Sequence, residues 1–518
     1  MFVQKRVRLV ALLAIAVLLL AQVVAFAAPK ETPRAYLVGF RQGHSAKSVG
    51  ADGVKVKQEW DELGAALVEV DSKGKARLES HAGVAWVEED RTVTAFGQFS
   101  DNGEIPWGLA AVHAQDAWNS GADGSGIKVC ILDTGIDYNH PEFVRNGQSV
   151  IKASRNFVAD GHPDARDGAG HGTHVAGTIA AQLNGSGVAG VAPGVDLYIG
   201  RVLGDDGSGT TSGVINGLNW CVSQGAKVVN LSLGASRGSK TEQRAFDSAY
   251  SNGVLSVAAN GNDGTNRISY PAAYSSVVAV AAVDSNLVRA SFSNYGSATE
   301  LAGPGVAVLS SVPLGTGLQG SASEGGVPYV ANPLEFSPMG NISGPLVECG
   351  LADSTTSCPG KPASGAWIAM VNRGVIAFAD KVNNVKAQGA SAAIIANNDT
   401  AAPDDAGSFT LGAAGSWIPT VSVSYNSGVA IRAGGLGNGS VSVTATDYAY
   451  YNGTSMATPH ATAVAAVAWS AKPSLTAVKI RSVLQNSSQD LGTAGRDVYY
   501  GFGLVRADLA AALARNTQ

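Results

Sequence analysis

Three residues far apart in the chain have the chemistry of nucleophilic catalysis. Asp133 follows an apolar run at 129–132, His171 is flanked by glycines ahead of another apolar stretch, and Ser455 precedes the Ala/Val-rich stretch 461–469. A serine hydroxyl is a weak nucleophile until an imidazole takes its proton and a carboxylate fixes the tautomer of that imidazole. The joint occurrence of the three residue types therefore favours catalysis over three unrelated structural roles.

Each residue alone has a simpler interpretation. Asp133 could be a turn residue, and Ser455 a plain helix cap. His171 and His174, spaced i and i+3, could be metal ligands or residues that begin a helix. No Cys, Glu or third His lies close by and no His-Glu-x-x-His pattern occurs, so zinc is not favoured.

The segments that must position these residues alternate between apolar strand-like runs and helix-like stretches. Such runs, buried on both faces, are typical of a parallel sheet covered by helices, which predicts an α/β domain. The predicted strands are 127–132, 197–202, 228–233, 254–259 and 277–282. Asp133 then lies at the carboxyl end of a strand, where α/β sheets place functional groups. Ser455 lies at a helix amino end, which favours a developing oxyanion.

Two other regions differ from this pattern. Residues 35–90 are richer in charge and read as a small α+β domain, with strands at 36–38, 66–70 and 84–87. Residues 313–446 are rich in loops and predict an inserted domain. Its predicted strands are 367–371, 375–379, 392–396 and 421–423. Amphipathic helices are predicted at 475–485 and 504–513.

Composition excludes several classes of function. Of 518 residues, 45% are hydrophobic and 15% charged, which is typical of a folded globular protein. Lys plus Arg is 36 against 41 for Asp plus Glu, so the net charge of -5 gives no reason to expect nucleic acid as a partner. The 64 glycines show no three-residue period, which excludes a collagen-like chain.

The first residues indicate export. A basic start is followed by an uncharged stretch at 9–21 and small residues at 25–27, which predicts a signal peptide over 1–28 and a secreted protein. An uncleaved membrane anchor is the less favoured alternative. No later run of eighteen apolar residues occurs, so no membrane association is expected after removal of the signal.

Four cysteines are compatible with disulfides in an exported protein. Cys349 and Cys358 lie in one polar loop and could bridge, whereas Cys130 lies inside an apolar strand and is interpreted as a buried thiol. The pairing, including that of Cys221, stays open.

The sequences around the three reactive residues resemble those of the subtilisin-like serine peptidases. They are Asp-Thr-Gly-Ile-Asp at 133–137, His-Gly-Thr-His-Val-Ala-Gly at 171–177 and Gly-Thr-Ser-Met-Ala-Thr-Pro-His at 453–460. The resemblance covers 101–313 and 446–516, and implies a parallel-sheet subtilisin-like catalytic domain. It makes Ser455 the nucleophile, His171 the general base and then acid, and Asp133 the residue that orients His171.

The resemblance extends to oxyanion and substrate contacts. Residues 259–264 resemble the oxyanion segment of the family, which makes Asn262 the amide donor, although Asn260 replaces a small apolar residue there. Two segments resemble strands that pair with the main chain of a peptide substrate, which implies broad specificity. They are Gly207, Ser208 and Gly209, and Ser232, Leu233 and Gly234.

The flanking regions also resemble parts of this family. Residues 29–96 resemble its inhibitory propeptide, with cleavage between Phe96 and Gly97 and a large apolar residue before the scissile bond. Residues 314–445 resemble a protease-associated domain, which could control substrate access or be an inert spacer. The predicted domains are thus the signal peptide at 1–28, the propeptide at 29–96, the first part of the catalytic domain at 97–313, the inserted domain at 314–445 and the second part of the catalytic domain at 446–518.

The loop at 182–193 resembles the tight calcium loop of the family, and calcium favours such oxygen ligands. The implied ligands are the Asn184 side chain, the carbonyls of Gln182, Ser186 and Val188, and the side chains of Glu142 and Gln98. No organic cofactor is expected.

The sequence thus predicts a secreted, monomeric serine endopeptidase that acts on proteins or peptides and is made as a self-processing precursor bound by its own propeptide. Two alternatives stay open. One is a catalytically silent binding protein on the same scaffold, and the other is a peptide ligase or cyclase that uses the same acyl-enzyme.

Overall fold

A computed structural model describes residues 33–47, 54–60, 64–89, 104–400, 403–407 and 409–518. The chain divides into two units, Met1–Gln98 and Phe99–Gln518. The predicted signal peptide at 1–28 and the residues Phe96, Gly97 and Gln98 lie outside the described residues. Within the described ranges, no helix has both the length and the apolar character needed to span a membrane.

The first unit is a four-stranded antiparallel sheet with one helix. Its elements are β1 (Arg34–Phe40), β2 (Lys55–Trp60), β3 (Ala65–Val70), α1 (Ser72–Ser80) and β4 (Val84–Glu89). The strand order is β2-β3-β1-β4. Val38, Val68 and Leu78 are buried between the sheet and the helix. Helix α1 begins after Asp71, whose Oδ1 accepts the amide of Gly74 at 2.7 Å and so caps the helix.

A seven-stranded parallel sheet forms the centre of the second unit, with the order β13-β12-β11-β10-β5-β9-β8. The strands here are β5 (Lys128–Asp133), β6 (Val144–Arg145), β7 (Gln148–Ser149), β8 (Ile151–Asn156), β9 (Asp196–Arg201), β10 (Val228–Leu231), β11 (Leu255–Ala259), β12 (Val277–Val283) and β13 (Leu301–Pro304); β6 and β7 form a separate hairpin. The five predicted strands are all present with small shifts at their ends. The edge strands β8 and β13 were not predicted, because β8 is mostly polar and partly exposed and β13 contains Gly and Pro.

Helices cover both faces of this sheet. The helices of this unit are α2 (Trp107–Ala111), α3 (Ala114–Asn119), α4 (His171–Ala180), α5 (Thr211–Ser223), α6 (Lys240–Ser251), α7 (Phe378–Ala387), α8 (Tyr425–Ala433), α9 (Thr454–Ala471), α10 (Ala477–Ser487) and α11 (Ala507–Asn516), with a 3-10 turn at Pro141–Phe143. Of these, α7 and α8 pack on the strands of the inserted barrel and not on this sheet. Side chains of α4, α9, α10 and α11 fill the core on one face. Those of α5 and α6 fill the core on the other.

Helix α9 begins earlier than the sequence analysis expected. The prediction placed Ser455 before a helix at 461–469, but the helix starts at Thr454 and Ser455 lies in its first turn. Pro459 is inside the helix and has no amide hydrogen for the carbonyl of Ser455 four residues earlier. That carbonyl accepts the hydroxyl of Ser232 instead, at 2.7 Å.

A closed barrel is inserted in the chain between the last strand of the parallel sheet, β13, and helix α9. Its strands are β15 (Gly317–Glu324), β16 (Val327–Pro333), β17 (Gly340–Glu348), β18 (Ile368–Asn372), β19 (Ala392–Ala396), β20 (Thr420–Val423) and β21 (Asn438–Thr446), flanked by β14 (Val308–Ser311) and β22 (Tyr448–Tyr451). The barrel order is β15-β16-β20-β19-β18-β17-β21, and β14 pairs with β22. The predicted strand at 375–379 is wrong: Gly374 and Val375 have φ of +115° and +70°, which break an extended chain, and α7 starts at Phe378.

The four cysteines form two disulfides. Cys349 pairs with Cys358, and Cys130 pairs with Cys221. The interpretation of Cys130 as a buried thiol was therefore wrong. The side chain of Cys130 faces α5, which packs on the outer face of the sheet and brings Cys221 to β5.

Candidate active site

The side chains of Asp133 and His171 meet where β5 ends and α4 begins. Oδ1 of Asp133 lies 2.7 Å from Nδ1 of His171 and also accepts the amide of Thr134 at 2.8 Å. The Asp133 side chain is fully buried, whereas that of His171 is 29% exposed. A carboxylate on Nδ1 requires the proton there and leaves Nε2 as the basic atom.

Close approach of the strand end to the helix start depends on a glycine. A Cβ on Gly172 would lie only 2.3 Å from the carbonyl oxygen of Gly135. Any larger residue at 172 would therefore separate the first turn of α4 from the turn that follows Asp133.

Asp167 joins both segments and was not singled out from the sequence. Its Oδ1 accepts the hydroxyl of Thr134 and the amide of Gly170, both at 2.8 Å. Its Oδ2 accepts the amide and the hydroxyl of Thr173, at 2.8 and 2.7 Å. Thr134 in turn accepts the amide of Gly172 at 2.8 Å. The buried carboxylate of Asp167 therefore ties the residue after Asp133 to the amino end of α4.

The pKa of His171 reflects opposing influences. Burial lowers the pKa, but the charge and hydrogen bond of Asp133, with a further contribution from the charge of Asp167, raise it above its ordinary 6.5. The imidazole is thus tuned to hold a proton more readily than a free histidine.

Ser455 is connected to this region through Ser232. The hydroxyl of Ser455 donates to the carbonyl of Ser232 at 3.0 Å, and the hydroxyl of Ser232 donates to the carbonyl of Ser455 at 2.7 Å. Asn230 supports Ser232 with a hydrogen bond of 3.0 Å from Nδ2 to Oγ. In the described residues Ser455 makes no hydrogen bond to His171, but its partner Ser232 lines the same groove as His171.

The two asparagines of the oxyanion segment have different surroundings. Oδ1 of Asn262 accepts the amide and hydroxyl of Thr454, at 2.9 and 2.8 Å, and its Nδ2 has no partner within the described ranges. Asn260 is fully buried, and its Nδ2 donates to the carbonyl of Asn294 and the hydroxyl of Thr299. Asn262 is therefore the asparagine with a free amide donor beside Ser455.

A groove of about 480 Å³ runs past His171 and contains both predicted substrate segments. Gly207, Ser208 and Gly209 line this groove, and so do Ser232, Leu233 and Gly234. Glu242 and Tyr270 also line the groove and were not singled out from the sequence. A cavity of this volume accommodates several residues of an extended peptide.

His174 and His460 are structural. Burial lowers the pKa of His174 to about 3 and that of His460 to about 4. Nε2 of His174 lies 2.9 Å from the carbonyl of Val308, and its ring stacks on Tyr451. Nδ1 of His460 lies 2.8 Å from the carbonyl of Met456, so each of these two buried rings is fixed by a backbone contact.

The predicted calcium residues come together, apart from Gln98, which lies outside the described residues. The carbonyl oxygens of Gln182, Ser186 and Val188 accept no hydrogen bond from any described residue. Oδ1 of Asn184 accepts the amide and hydroxyl of Ser186, at 3.1 and 2.9 Å.

Glu142 lies against this loop. Its Oε1 accepts the amide of Val188 at 3.0 Å and the hydroxyl of Tyr448 at 2.8 Å, while Oε2 is buried with no partner in the described part of the chain. Burial raises the pKa of Glu142. A Cβ on Gly187 would lie 2.0 Å from Oε1, so the loop closes tightly around the carboxylate. Free carbonyls beside an unpaired buried carboxylate oxygen fit a hard cation.

Comparisons with known proteins show the family of this chain. Residues 124–326 match the family model of the Subtilase family, and residues 342–431 match that of the PA domain. An alkaline protease of Alkalihalobacillus alcalophilus is 40% identical over 321 residues, which cover 59% of this chain and 81% of that protein. Subtilisin E of Bacillus subtilis (strain 168) is 38% identical over 317 residues, covering 59% of this chain and 80% of its own.

The chain is also similar to a solved structure of a subtilisin-like protease. The crystal structure of the psychrophilic subtilisin-like protease Apa1 from the Antarctic psychrotroph Pseudoalteromonas sp. AS-11 aligns with a TM-score of 0.64 and 35% identity, over 80% of this chain and 98% of that one.

Fold, site and relatives together define a serine-type endopeptidase, whose substrates are proteins or peptides. The chain belongs to the subtilase family and carries a PA domain within its sequence. The predicted family and fold class are therefore confirmed.

Proposed function

We propose that this endopeptidase cleaves peptide bonds through an acyl-enzyme on Ser455, with His171 as general base and Asp133 as its orienting carboxylate. The observation that carries the proposal is the 2.7 Å contact between Asp133 Oδ1 and His171 Nδ1 at the edge of the groove. The proposed reaction requires the Ser455 hydroxyl to turn from the carbonyl of Ser232 toward Nε2 of His171; catalytic hydrogen bonds of this kind often tighten only when substrate binds.

The proposed reaction has two halves. Oγ of Ser455 attacks the substrate carbonyl carbon while its proton passes to Nε2 of His171. The C–N bond then breaks, and His171 gives that proton to the leaving amine. Water next loses a proton to His171 and attacks the ester carbonyl carbon; the C–O bond to Ser455 breaks, His171 returns the proton to Oγ of Ser455, and the acid is released.

Asn262 is the proposed oxyanion donor together with the amide of Ser455. Its Oδ1 is held by Thr454, so its free Nδ2 is oriented before substrate arrives. Preorganised donors of this kind stabilise the tetrahedral oxyanion more than the planar carbonyl.

Substrate is proposed to bind as an extended strand between Gly207–Gly209 and Ser232–Gly234. Main-chain pairing is independent of side chains and so gives broad specificity, with a large apolar residue before the scissile bond as at Phe96. The alternatives of a silent binding protein and of a ligase find no specific support in the site.

The proposed precursor contains a signal peptide at 1–28 and an inhibitory propeptide at 29–96, removed between Phe96 and Gly97, and the enzyme acts outside the cell as a monomer. The basic and apolar start of the chain supports export, and the separate folding unit ahead of the catalytic unit supports a propeptide.

Calcium is the proposed structural ion. Glu142, Asn184 and the carbonyls of Gln182, Ser186 and Val188 would hold it, with Gln98 as a further ligand. The ion would neutralise the buried carboxylate of Glu142 and stiffen the loop that follows α4.

Labelling with a peptidyl phosphonate tests the function directly. The mature protein should lose all activity with one label on Ser455, and the Ser455→Ala precursor should neither cleave peptides nor release its front unit. A peptide-library profile would show whether large apolar residues precede the cut. Unlabelled, inactive protein would favour the binding protein, and transfer to an added amine faster than hydrolysis would favour the ligase.

A further inference from the structure

A carboxylate lies in the wall of the substrate groove. Glu242 lies in the first turn of α6 and is only 6% exposed. It lines the same groove as His171 and the two predicted substrate segments. Nothing in the proposed chemistry uses this side chain.

The hydrogen bonds of Glu242 are incomplete. Tyr274 donates its hydroxyl to Oε2 at 2.8 Å. The hydroxyl oxygen of Tyr274 also accepts the amide of Ser239 at 2.7 Å. A hydroxyl has only one proton to donate, and the carbonyl of Ser239, 3.0 Å away, competes with Oε2 of Glu242 for it. Oε1 of Glu242 has no hydrogen-bond partner in the described part of the chain. A carboxylate has about four acceptor sites, so this one is held in place but largely unsatisfied.

No described basic side chain forms an ion pair with Glu242. Lys240 and Arg244, its nearest basic neighbours in sequence, are exposed. Burial raises the pKa of Glu242, and the bond from Tyr274 opposes that change. A positively charged group on a ligand would supply the opposite charge and the hydrogen-bond donors that the protein does not provide to the Glu242 carboxylate.

The rest of the groove wall is suited to an aliphatic stem. Leu203, Val214 and Leu233 line the groove together with the ring of Tyr270. Lysine and arginine side chains pack their methylene stems on apolar surface while the charged end reaches a polar partner. An apolar wall that ends at one carboxylate matches this shape.

We propose that Glu242 is a specificity-determining residue that selects a lysine or arginine side chain of the substrate, upstream of the residue before the scissile bond. The inference rests on the proposed function, since the groove must receive an extended peptide. Oε1 of Glu242 accepts the cation, and the apolar wall covers its stem. The enzyme therefore reads two features of a peptide: a large apolar residue at the cut and a basic residue further upstream.

Peptide substrates that differ in one side chain test this proposal. Lysine and norleucine are compared at the second, third and fourth residues before the scissile bond, with wild type, Glu242→Gln and the control Asp247→Asn. Asp247 is an exposed carboxylate on the same helix and outside the groove lining. At one position we expect kcat/KM for lysine to exceed that for norleucine by about tenfold, in the range of a charge-assisted hydrogen bond. Glu242→Gln should abolish the ratio, and Asp247→Asn should keep it.

Phosphonate labelling counts the folded active sites of each variant, so a loss of folding is separated from a loss of selectivity. A wild type that cleaves both peptides equally at every position, or a lysine preference that persists in Glu242→Gln, overturns the proposal while the proposed function stands. A wild type that neither takes the label nor cleaves any peptide overturns the proposed function itself.

Discussion

Two buried carboxylates, those of Asp133 and Asp167, fix the position and the pKa of His171, and each makes different contacts. Asp133 contacts His171 directly, whereas Asp167 accepts hydrogen bonds from Thr134 and Thr173, the residues that follow Asp133 and His171 in their segments. Asp167 is therefore a positioning residue, and its charge also acts on the imidazole.

Asp167→Asn should change the pH profile as well as the rate. A proton on His171 prevents it from accepting that of Ser455, so activity falls as the pH drops through the pKa of His171. Loss of the Asp167 charge lowers that pKa and should move the acid limb of kcat/KM to lower pH, by up to about one unit. Misplacement of the base should also lower kcat about 10- to 100-fold.

The control for Asp167 is Asp164→Asn in the same loop, whose carboxylate accepts only a local amide from Arg166 at 3.0 Å. An acid limb that stays in place in Asp167→Asn, with kcat unchanged, would contradict the positioning role.

The two asparagines offer a matched pair of substitutions. Asn262→Ala should lower kcat per folded active site about 10²- to 10³-fold, the range known from removing one oxyanion donor in a subtilisin, and should also lower Tm because Thr454 loses its acceptor. Asn260→Ala should destabilise the fold by about 1–3 kcal/mol, because buried groups of Asn294 and Thr299 lose their partner, but should keep kcat per folded active site near that of wild type. Kinetics per labelled active site, set beside thermal melts, separate the effects. Equal kcat losses in both variants would remove the distinction.

Residue types and spacing identified Asp133, His171 and Ser455, but not every residue around them. Asp167 stands in a polar loop beside Asp164 and Arg166, where a charged residue has the appearance of an ordinary solvated one. Glu242 is on the first turn of a helix, where acidic residues are common for stability alone. Only the three-dimensional contacts separate these carboxylates from their neighbours.

At the scale of elements, the sequence predicted strands better than helix starts. Continuous apolar runs in β5, β9, β10, β11 and β12 follow directly from burial on both faces of a parallel sheet. The prediction began this helix at Ala461, but α9 starts at Thr454 and contains Pro459. It is tolerated in the interior here because Ser232 satisfies the carbonyl that Pro459 leaves without a donor.

The loop after α4 should respond to calcium and pH together. Burial raises the pKa of Glu142 above its ordinary 4.5, so the calcium-free fold favours the protonated form. In a chelator, the free energy of unfolding should therefore fall as the pH rises from about 4.5 through the raised pKa. Calcium at about 100 times its Kd should add about 2.7 kcal/mol.

Denaturant unfolding with chelator or calcium, across this pH range, measures both effects. Glu142→Gln should lose the pH-dependent part and most of the calcium response. Glu104→Gln, whose carboxylate lies at the same loop and accepts the amide of Gly185 at 2.7 Å, is the comparison. If calcium stabilises wild type and Glu142→Gln equally, the assigned ligands are wrong.

At the scale of the whole molecule, the barrel is attached at one place. Gly317 on β15 lies opposite Thr446 on β21, and Ser311 on β14 lies opposite Tyr448 on β22. Partners across an antiparallel pair are about 4.5–5.5 Å apart, so the chain enters and leaves the barrel side by side. The loop-rich sequence of residues 313–446 predicted an insertion, but it did not predict that the two ends of the insertion would pair with each other.

Removal of 317–446 with a short glycine linker should therefore leave the sheet unit folded. We expect kcat/KM for short peptides to change less than threefold, because no barrel residue lines the groove. Peptide and protein substrates should be assayed in parallel. A loss confined to proteins assigns the barrel to substrate access, unchanged activity on both makes it a spacer, and loss of folding contradicts the independence of the two parts.

The bridge between Cys130 and Cys221 has a practical meaning for an enzyme that is surrounded by copies of itself. The two cysteines are 91 positions apart, and the loop that they close contains Asp133, His171 and the exposed segment 159–163. A nick made there by a neighbouring molecule would leave both fragments covalently attached and the acid and base in place. Such damage would show only on a reducing gel, and the nicked enzyme would keep working until a thiol reached the sulfurs.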